Sequence, residues 1–277
     1  MYRVYSGCFW SGCNSAAPTA APTAAPATGS IAPIANIYGI NGGCVLGSTD
    51  TEPWRTGEAT GPLLAGDERY QLYTLSGPVG EATGSTPFSE IPCPATQNIE
   101  MTPPVQLDAP VIAVSGDWNA MPRVPTLTST EQEVYQQAAA EVLRGLGLET
   151  DDIRLEQVIR IDLEGDGSEE VLVTATRISQ ETGGGVLADP GDYSVVFLRK
   201  LVGETVETSI VEQQVYPLAQ GGEVVFRSVV EGVLDVDGDG MLEVLVTNSY
   251  YEGGYMTVYR LNGNSLEASE LGCGCGV

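Results

Sequence analysis

Asp235-Val-Asp-Gly-Asp-Gly-Met-Leu-Glu-Val-Leu-Val-Thr247 repeats, 73 residues later, the pattern of Asp162-Leu-Glu-Gly-Asp-Gly-Ser-Glu-Glu-Val-Leu-Val-Thr174. Both segments have carboxylates at positions 1, 3, 5 and 9, glycines at positions 4 and 6, and the same last five residues. Each is an acidic loop followed by an apolar strand, because Val and its neighbours suit a pleated, half-buried surface. The sequence therefore predicts two copies of one β unit that stack to bury faces neither copy could bury alone.

The clustered charges of each loop indicate a bound cation. Two like charges about 4 Å apart cost ~1 kcal/mol in bulk water and ~4 kcal/mol at an effective dielectric near 20. Calcium suits a set of oxygen ligands of which several are charged, and glycines permit the tight turns that aim them inward. We predict two Ca²⁺ sites, with side-chain ligands at positions 1, 3, 5 and 9 and a carbonyl at position 7. These ligands are Asp162, Glu164, Asp166, Ser168 and Glu170 in the first loop, and Asp235, Asp237, Asp239, Met241 and Glu243 in the second.

The two loops differ in quality, and neither fits a helix-loop-helix calcium hand. Glu164 is one methylene longer than Asp237, so the first loop is expected to bind calcium more weakly or to hold it differently. Position 12 is Val173 or Val246, where a calcium hand has a bidentate Glu. The alternative is a pair of solvated acidic hairpins. Both loops have their carboxylates at the same positions and are followed by the same residues, which favours the metal sites over this alternative.

On these residues the second loop resembles the calcium loop of FG-GAP or VCBS-type repeats, and the first is similar except at Glu164. The resemblance covers residues 150–277. It implies structural calcium and propeller-type blades, as in integrin-like domains and many bacterial surface proteins, which mediate adhesion or carry other modules. A closed propeller takes about four to eight blades. Two repeats therefore leave three arrangements open: a two-sheet sandwich, an open partial propeller, or an oligomeric ring.

The rest of the chain divides around these repeats into a mainly β protein. Residues 1–36 form an N-terminal segment and an Ala/Pro/Thr-rich spacer, which repeated Pro keeps extended. Residues 37–125 form a small Gly/Pro-rich β module, and residues 126–277 hold one helix and the two repeats. Predicted strands of the module are 36–40, 69–75, 99–102 and 110–114. Those of the repeats are 153–163, 171–178, 192–202 and 205–218, then 224–236, 242–250, 255–261 and 265–271.

Residues 130–147 carry the helical pattern. Thr130 and Glu133 form a candidate capping box, an apolar stripe follows, and Gly145 and Gly147 end it. We expect this helix to brace the repeats. In the β module, Trp54, Trp118 and Tyr73 form either part of the core or a sugar-stacking face.

Composition excludes several classes of function. The net charge is −25, which argues against nucleic acid and anionic membrane surfaces as partners. The chain contains no histidine, so it has neither a Ser-His-Asp triad nor a His-ligated zinc site. The sequence contains no run of 18 apolar residues and therefore predicts no transmembrane helix.

Six cysteines suggest export and disulfides. We predict a Cys44–Cys93 bond, because the two residues bracket one Gly/Pro-rich region. Cys273 and Cys275 are badly spaced to bridge each other and are expected to be buried thiols or to pair elsewhere. Trp10-Ser-Gly-Cys13, followed by the flexible tract, looks like the end of a bacterial lipoprotein signal, which predicts a lipid anchor at Cys13.

The sequence thus favours a non-enzymatic, calcium-binding protein of the bacterial exterior that binds a protein or a glycan. The alternative is a hydrolase that uses calcium or paired carboxylates on a polysaccharide or phosphoester. The segment Ser249–Tyr255 has three tyrosines beside two glycines. It is either an edge turn whose tyrosines pack on the sheet or a ligand-facing loop, and it would place a binding face on the second repeat.

Overall fold

The computed structural model describes residues 31–38, 42–105, 109–179, 186–218 and 222–276 and is mainly β, as predicted. The predicted lipid anchor at Cys13 and most of the predicted spacer lie outside these residues. The N-terminal strands are β1 Pro33–Tyr38, β2 Gly42–Ser48, β3 Arg55–Thr56, β4 Arg69–Thr74, β5 Gly77–Gly84, β6 Phe88–Glu90, β7 Cys93–Thr102 and β8 Val111–Val114. The strands of the repeat region are β9 Thr126–Leu127, β10 Leu155–Ile161, β11 Glu170–Arg177, β12 Asp192–Val202, β13 Thr205–Tyr216, β14 Arg227–Leu234, β15 Glu243–Tyr250, β16 Gly253–Asn262 and β17 Ser265–Cys275. The helices are α1 Gly57–Thr60 and α2 Glu133–Gly145, with a 3-10 turn at Gly61–Leu63.

The N-terminal module is one eight-stranded sheet in the order β3-β2-β1-β8-β4-β5-β7-β6, and an additional β2–β7 pairing curls it. It contains more strands than the sequence predicted. Its first strand begins at Pro33, inside the segment assigned to the spacer. Pro33, Ile34 and Ala35 are buried, so this apolar stretch belongs to the core. A proline is tolerated as the first residue of a strand because no ladder hydrogen bond is lost there.

Each repeat forms an antiparallel meander in chain order. The first sheet is β13-β12-β11-β10-β9 and the second is β14-β15-β16-β17. The eight strands predicted for the two repeats are all present, and β9 adds one more to the first sheet. One acidic loop joins β10 to β11 and the other joins β14 to β15, and Glu-Val-Leu-Val-Thr opens both β11 and β15.

The layers stack in the order α2, first repeat sheet, second repeat sheet, N-terminal sheet. One buried cluster joins the two repeat sheets and another joins the second repeat sheet to the N-terminal sheet. Val244 and Val246 face the first repeat, whereas Leu245 faces the N-terminal sheet. Consecutive residues of β15 are therefore apolar, with no alternation of polar and apolar residues at 244–246, because both faces of this strand are buried. Assembly of these layers into a ring with further subunits stays a prediction.

The helix braces the outer face of the first repeat sheet, with Tyr135, Ala139 and Leu143 buried against it. Its predicted capping box at Thr130 is wrong, because the helix begins later. Its N-cap is Gln132, which makes no side-chain capping bond. The Thr130 carbonyl instead accepts a hydrogen bond from Gln136 Nε2, at 3.4 Å. In the described part of the chain, neither helix is long and apolar enough to cross a membrane.

The disulfide pairing corrects the sequence prediction. Cys44 bonds Cys273 and Cys93 bonds Cys275, so the predicted Cys44–Cys93 bond is wrong. Residues two apart on a strand point to the same face, and β17 presents both of its cysteines to the N-terminal module. The bonds span 229 and 182 residues of sequence and fasten the C-terminal strand to β2 and β7. Because disulfides persist in oxidising compartments, the pairing indicates an oxidising environment.

Candidate metal centres

The acidic loops sit at equivalent corners of the two repeat sheets. The first runs from the end of β10 at Ile161 to Glu170, and the second from the end of β14 at Leu234 to Glu243. In each, the position-9 Glu is the first residue of the next strand and is buried. It pairs across the ladder with the last residue of the preceding strand. The loops are therefore closed tightly by the sheets themselves.

Position 1 of each loop shapes it through backbone hydrogen bonds. Asp162 accepts from the N–H groups of Gly165 and Gly167, at 2.6 and 2.9 Å. Asp235 makes the matching pair of bonds with the glycines at its positions 4 and 6, at 2.6 and 3.0 Å. All four glycines have φ between +74° and +91°, a region that side chains with a Cβ rarely enter. The glycines of the motif are thus required by this turn.

Positions 5 and 9 also make matching bonds in the two loops. Asp166 and Asp239 each accept from the N–H two residues on, at 2.7 Å in both cases. Glu170 and Glu243 each accept from the N–H of position 2, at 2.9 and 3.0 Å. Each position-9 carboxylate therefore uses one oxygen to close its own loop, and its role as a metal ligand stays a prediction.

The second loop brings three carboxylates together. Asp235, Asp237 and Asp239 each offer an oxygen, and these oxygens lie within 4.8 Å of one another. Among the described residues no other group of three or more Asp, Glu or Cys side chains meets this distance. Asp235 is buried, Asp237 is largely buried with 11% of its side chain exposed, and Asp239 is exposed at the mouth. Three of the five predicted ligands of this loop are thus placed to share one ion.

The electrostatics of this cluster follow from burial and mutual repulsion. Burial, followed by the charge of Asp239, raises the pKa of Asp237 to about 6. Burial also raises the pKa of Asp235, and it raises the pKa of Glu243 well above its ordinary value. A raised carboxyl pKa means that the ionised form is disfavoured where it stands. The cluster therefore carries negative charge that the protein compensates only in part.

The first loop places its position-3 carboxylate differently. Glu164 forms an ion pair with Lys200 Nζ, and the Lys200 side chain is 9% exposed. Lys200 also donates to the Gly263 carbonyl at 3.3 Å. The predicted difference between Glu164 and Asp237 thus has a structural counterpart, because the longer side chain reaches an ammonium group on β12. Burial raises the pKa of Glu170 here too, whereas the charge of Lys200 lowers it.

The position-7 residues contribute their N–H groups to the turns. Ser168 is exposed and Met241 is partly buried, and each N–H is bonded to the preceding Asp of its loop. Nothing in these contacts brings either carbonyl to the carboxylates. Their predicted role as carbonyl ligands remains a prediction.

One arginine, which the sequence did not single out, joins the two loops. Arg123 donates from Nε to the Asp162 carbonyl at 2.6 Å and from Nη2 to the Gly240 carbonyl at 2.7 Å. Nη2 also lies 3.2 Å from the Leu163 carbonyl, which accepts in addition from the Leu242 N–H at 2.9 Å. The loops are therefore one connected unit. A lone arginine after the β module carries no local sequence signal of this role.

The connection from the N-terminal module also packs on the second loop. Trp118 Nε1 donates to the Asp235 carbonyl at 2.8 Å, and its ring lies against Gly238, where a Cβ would approach to 3.0 Å. Trp118 is buried, as are Trp54 and Tyr73. Of the two interpretations of these aromatics, the structure places all three in the core that contacts the second repeat.

Comparison of the chain with models of protein families, with curated proteins and with solved structures finds no match. The likeness to FG-GAP or VCBS-type repeats therefore rests on the motif alone.

Proposed function

We propose that this chain is a calcium-stabilised protein of the bacterial exterior in which calcium has a structural role. The observation that carries the proposal is the cluster of Asp235, Asp237 and Asp239, whose oxygens lie within 4.8 Å of one another. Their backbone hydrogen bonds hold the carboxylates in place before any ion binds. A divalent cation bound there would remove repulsion that burial has already made costly.

The donor set fits calcium better than softer metals. The second loop offers carboxylate oxygens, without histidine or thiolate, which is the ligand chemistry that Ca²⁺ prefers. All described cysteines form disulfides and cannot supply thiolates to these loops. Among the described residues, Asp237 has one cationic neighbour within 4.0 Å, Arg260 Nη2 at 3.7 Å. That contact is too long for a strong hydrogen bond, so a large part of the charge is left for an ion.

The first loop is proposed as the second, weaker calcium site. Glu164 is already neutralised by Lys200, so an ion gains less by binding there and must compete with the ammonium group. Asp162 and Asp166 remain available at positions 1 and 5. We expect filling of the two sites to separate along a calcium titration, with the second loop filling first.

Calcium in either loop would stabilise both sheets. The ion orders a loop whose ends are the ends of two strands, and Arg123 transmits that order to the other loop. A ligand that binds only the folded state at about 100 times its dissociation constant stabilises it by ~2.7 kcal/mol. This is a large share of the ~5–15 kcal/mol that holds a typical protein folded.

The remaining parts of the proposal rest on the sequence and on the disulfides. An oxidising environment agrees with export, and the Ala/Pro/Thr-rich tract would serve as a spacer between a surface anchor at Cys13 and the folded part. The partner would be a protein or a glycan. The hydrolase alternative has no specific contact in its favour among the described residues.

Isothermal titration of the chelator-treated protein with CaCl₂ tests the proposal. We expect one tight and one weaker binding step per chain, and magnesium should bind much more weakly. The melting temperature should rise with calcium and fall in excess chelator. Absence of both calcium-dependent heat and a shift in melting temperature would overturn the proposal.

A further inference from the structure

The seam between the N-terminal sheet and the second repeat sheet opens into a cavity of about 360 Å³. This volume is at the lower end of the range of small-molecule sites. Its walls come from β1, β14, β15, β16 and β17, so it joins the module to the repeat. The aromatic and apolar part of its lining consists of Tyr38, Pro110, Tyr255, Met256 and the two C-terminal disulfides. Part of the Ser249–Tyr255 segment thus faces a cavity, whereas Tyr250 packs on Phe226 with ring centroids 5.1 Å apart.

Among the described residues of this lining, Glu231 alone carries a formal charge. Its carboxylate has no hydrogen bond or ion pair with any described residue. Arg227, whose charge acts on Glu231, is instead bonded to Glu156. Burial raises the pKa of Glu231, and the charge of Arg227 lowers it in part. A partly buried carboxylate without a partner is unfavourable to folding, which makes it a candidate for a functional group.

The backbone aims this carboxylate by a β-bulge. The β14–β15 ladder slips between Val230 and Gly232, which leaves Glu231 as the extra, unpaired residue. Bulges commonly redirect a side chain beside a site. Gly232 keeps the strand close to the N-terminal sheet, because a Cβ there would lie 3.1 Å from Ile112 Cγ1. The position of Glu231 at the cavity is therefore built into the strand.

A second unpartnered acceptor lines the same cavity. Asn36 is 8% exposed, and its Oδ1 atom is buried without a hydrogen-bond partner. Buried polar atoms are normally hydrogen-bonded, so an acceptor without a partner, in a lining that also holds an unpaired carboxylate, indicates a ligand that donates hydrogen bonds. Tyr38 and Tyr255, 49% and 41% exposed, add aromatic rings at the rim. Aromatic faces attract cations.

We propose that this cavity binds a small organic cation, a primary ammonium group on an apolar body. The ammonium would donate to Glu231 and to Asn36 Oδ1, and the body would occupy the space between the two tyrosines. An anion or a second carboxylate is excluded by the charge of Glu231, and a neutral apolar molecule would leave both acceptors unpaired. The site is distinct from the calcium loops and does not depend on them.

Phenethylammonium chloride is a suitable probe, titrated by NMR or calorimetry in saturating CaCl₂. We expect binding below about 10 mM, a weak affinity suited to so small a ligand. 2-Phenylethanol replaces the ammonium group of the probe by a neutral hydroxyl, and phenylacetate replaces it by a negative carboxylate. Both should bind at least about tenfold more weakly, since a charge-assisted hydrogen bond is lost.

Glu231→Gln should weaken phenethylammonium binding by about tenfold or more. Glu204→Gln removes the same charge from an exposed turn of the first repeat and should leave binding unchanged. Tyr255→Leu, at a partly exposed position, tests the aromatic wall should Glu231→Gln fail to fold, and it should weaken binding several-fold. Failure of the probe to bind the native protein would overturn the proposal. So would equal binding by 2-phenylethanol, or by Glu231→Gln.

Discussion

Lys200 and Arg260 occupy the same position in the two repeats. Val171 and Val244 are equivalent in the two repeats, and they pair across the sheet with Arg199 and Tyr259. Lys200 and Arg260 are the next residues along the chain. Each lies beside the position-3 carboxylate of its own loop. Lys200 forms an ion pair with Glu164, whereas Arg260 stays 3.7 Å from Asp237 and stacks on Trp54, with its Cζ 4.1 Å from the ring centroid. The position-3 carboxylate is thus paired closely with a cation in the first loop and only loosely in the second.

Substitution of Asp237 or Asp239 by Asn should have opposite effects on stability in the absence and in the presence of calcium. Asn keeps a side-chain acceptor for the loop N–H groups and removes one of three crowded charges. In excess chelator the variants should therefore be as stable as the native protein or more stable. In calcium they should lose most of the metal-dependent gain, ~2.7 kcal/mol at 100 times the native dissociation constant.

Thermal melts of these variants with and without calcium measure the effect. Asp67→Asn, outside both loops, is the matched control and should keep the native response. If Asp237→Asn melts like the native protein under both conditions, the second loop holds no structural ion.

Lys200→Met should make the first loop more dependent on calcium. Without the ammonium group, Glu164 loses its partner, and the protein should be less stable in chelator. In calcium the ion should replace the lost charge, so the variant should recover and its first-loop site should bind more tightly.

Calorimetry measures the tighter binding as a rise in the calcium affinity of the weaker step. Chemical denaturation in chelator measures the loss of stability. Arg144→Met, at an exposed position of α2, removes a cation elsewhere and should change neither. Equal weak-step affinity in Lys200→Met and in the native protein would show that the lysine does not compete with the ion.

Arg123→Leu should destabilise the protein whether or not calcium is present. The substitution removes a donor from the carbonyls of Asp162, Leu163 and Gly240. The Leu163 carbonyl keeps its bond from the Leu242 N–H, whereas the other two part-buried acceptors lose their Arg123 partner, at about 1–3 kcal/mol each. Arg123→Lys should recover part of the loss. Urea denaturation in chelator and in calcium measures both variants. A loss smaller than about 0.5 kcal/mol would mean that the two loops are not coupled through this side chain.

The sequence predicted what depends on local pattern and failed where distant segments meet. The strands of both repeats follow from their branched residues, and the turn geometry follows from glycines at fixed positions such as Gly238 and Gly240. The partners of Cys273 and Cys275 could not be found from spacing, because they depend on which sheet β17 lies against. Nothing in the sequence linked Arg123 to loops 39 and 117 residues away.

Removing the Cys44–Cys273 bond by a double Ser substitution should weaken the attachment of the C-terminal strand to the N-terminal module, which the Cys93–Cys275 bond still holds. Loss of a native disulfide typically costs about 2–5 kcal/mol, with longer loops at the upper end of the entropic model. The loss should appear as a lower denaturation midpoint, with calcium binding retained because neither cysteine touches the loops. The Cys93→Ser/Cys275→Ser double variant provides the comparison. Calcium affinity that fell with either pair would contradict the independence of the loops from this seam.

Glu231→Gln should stabilise the protein at neutral pH, although it should weaken binding of the ammonium probe. Burial raises the folded-state pKa of Glu231 above its ordinary value of 4.5. The unfolded state therefore ionises first as pH rises, and stability falls from about that value up to the folded-state pKa. The charged groups involved are Glu231 itself and Arg227, since Tyr38 and Tyr255 have pKa values raised above 10.0 and stay neutral. Gln avoids the loss, so the stabilities of the two proteins should converge well below pH 4.5 and separate as the pH rises above it, as measured by denaturation in saturating calcium without probe. A group that served only to hold the fold together would give the opposite sign, with Glu231→Gln less stable at pH 7 than the native protein.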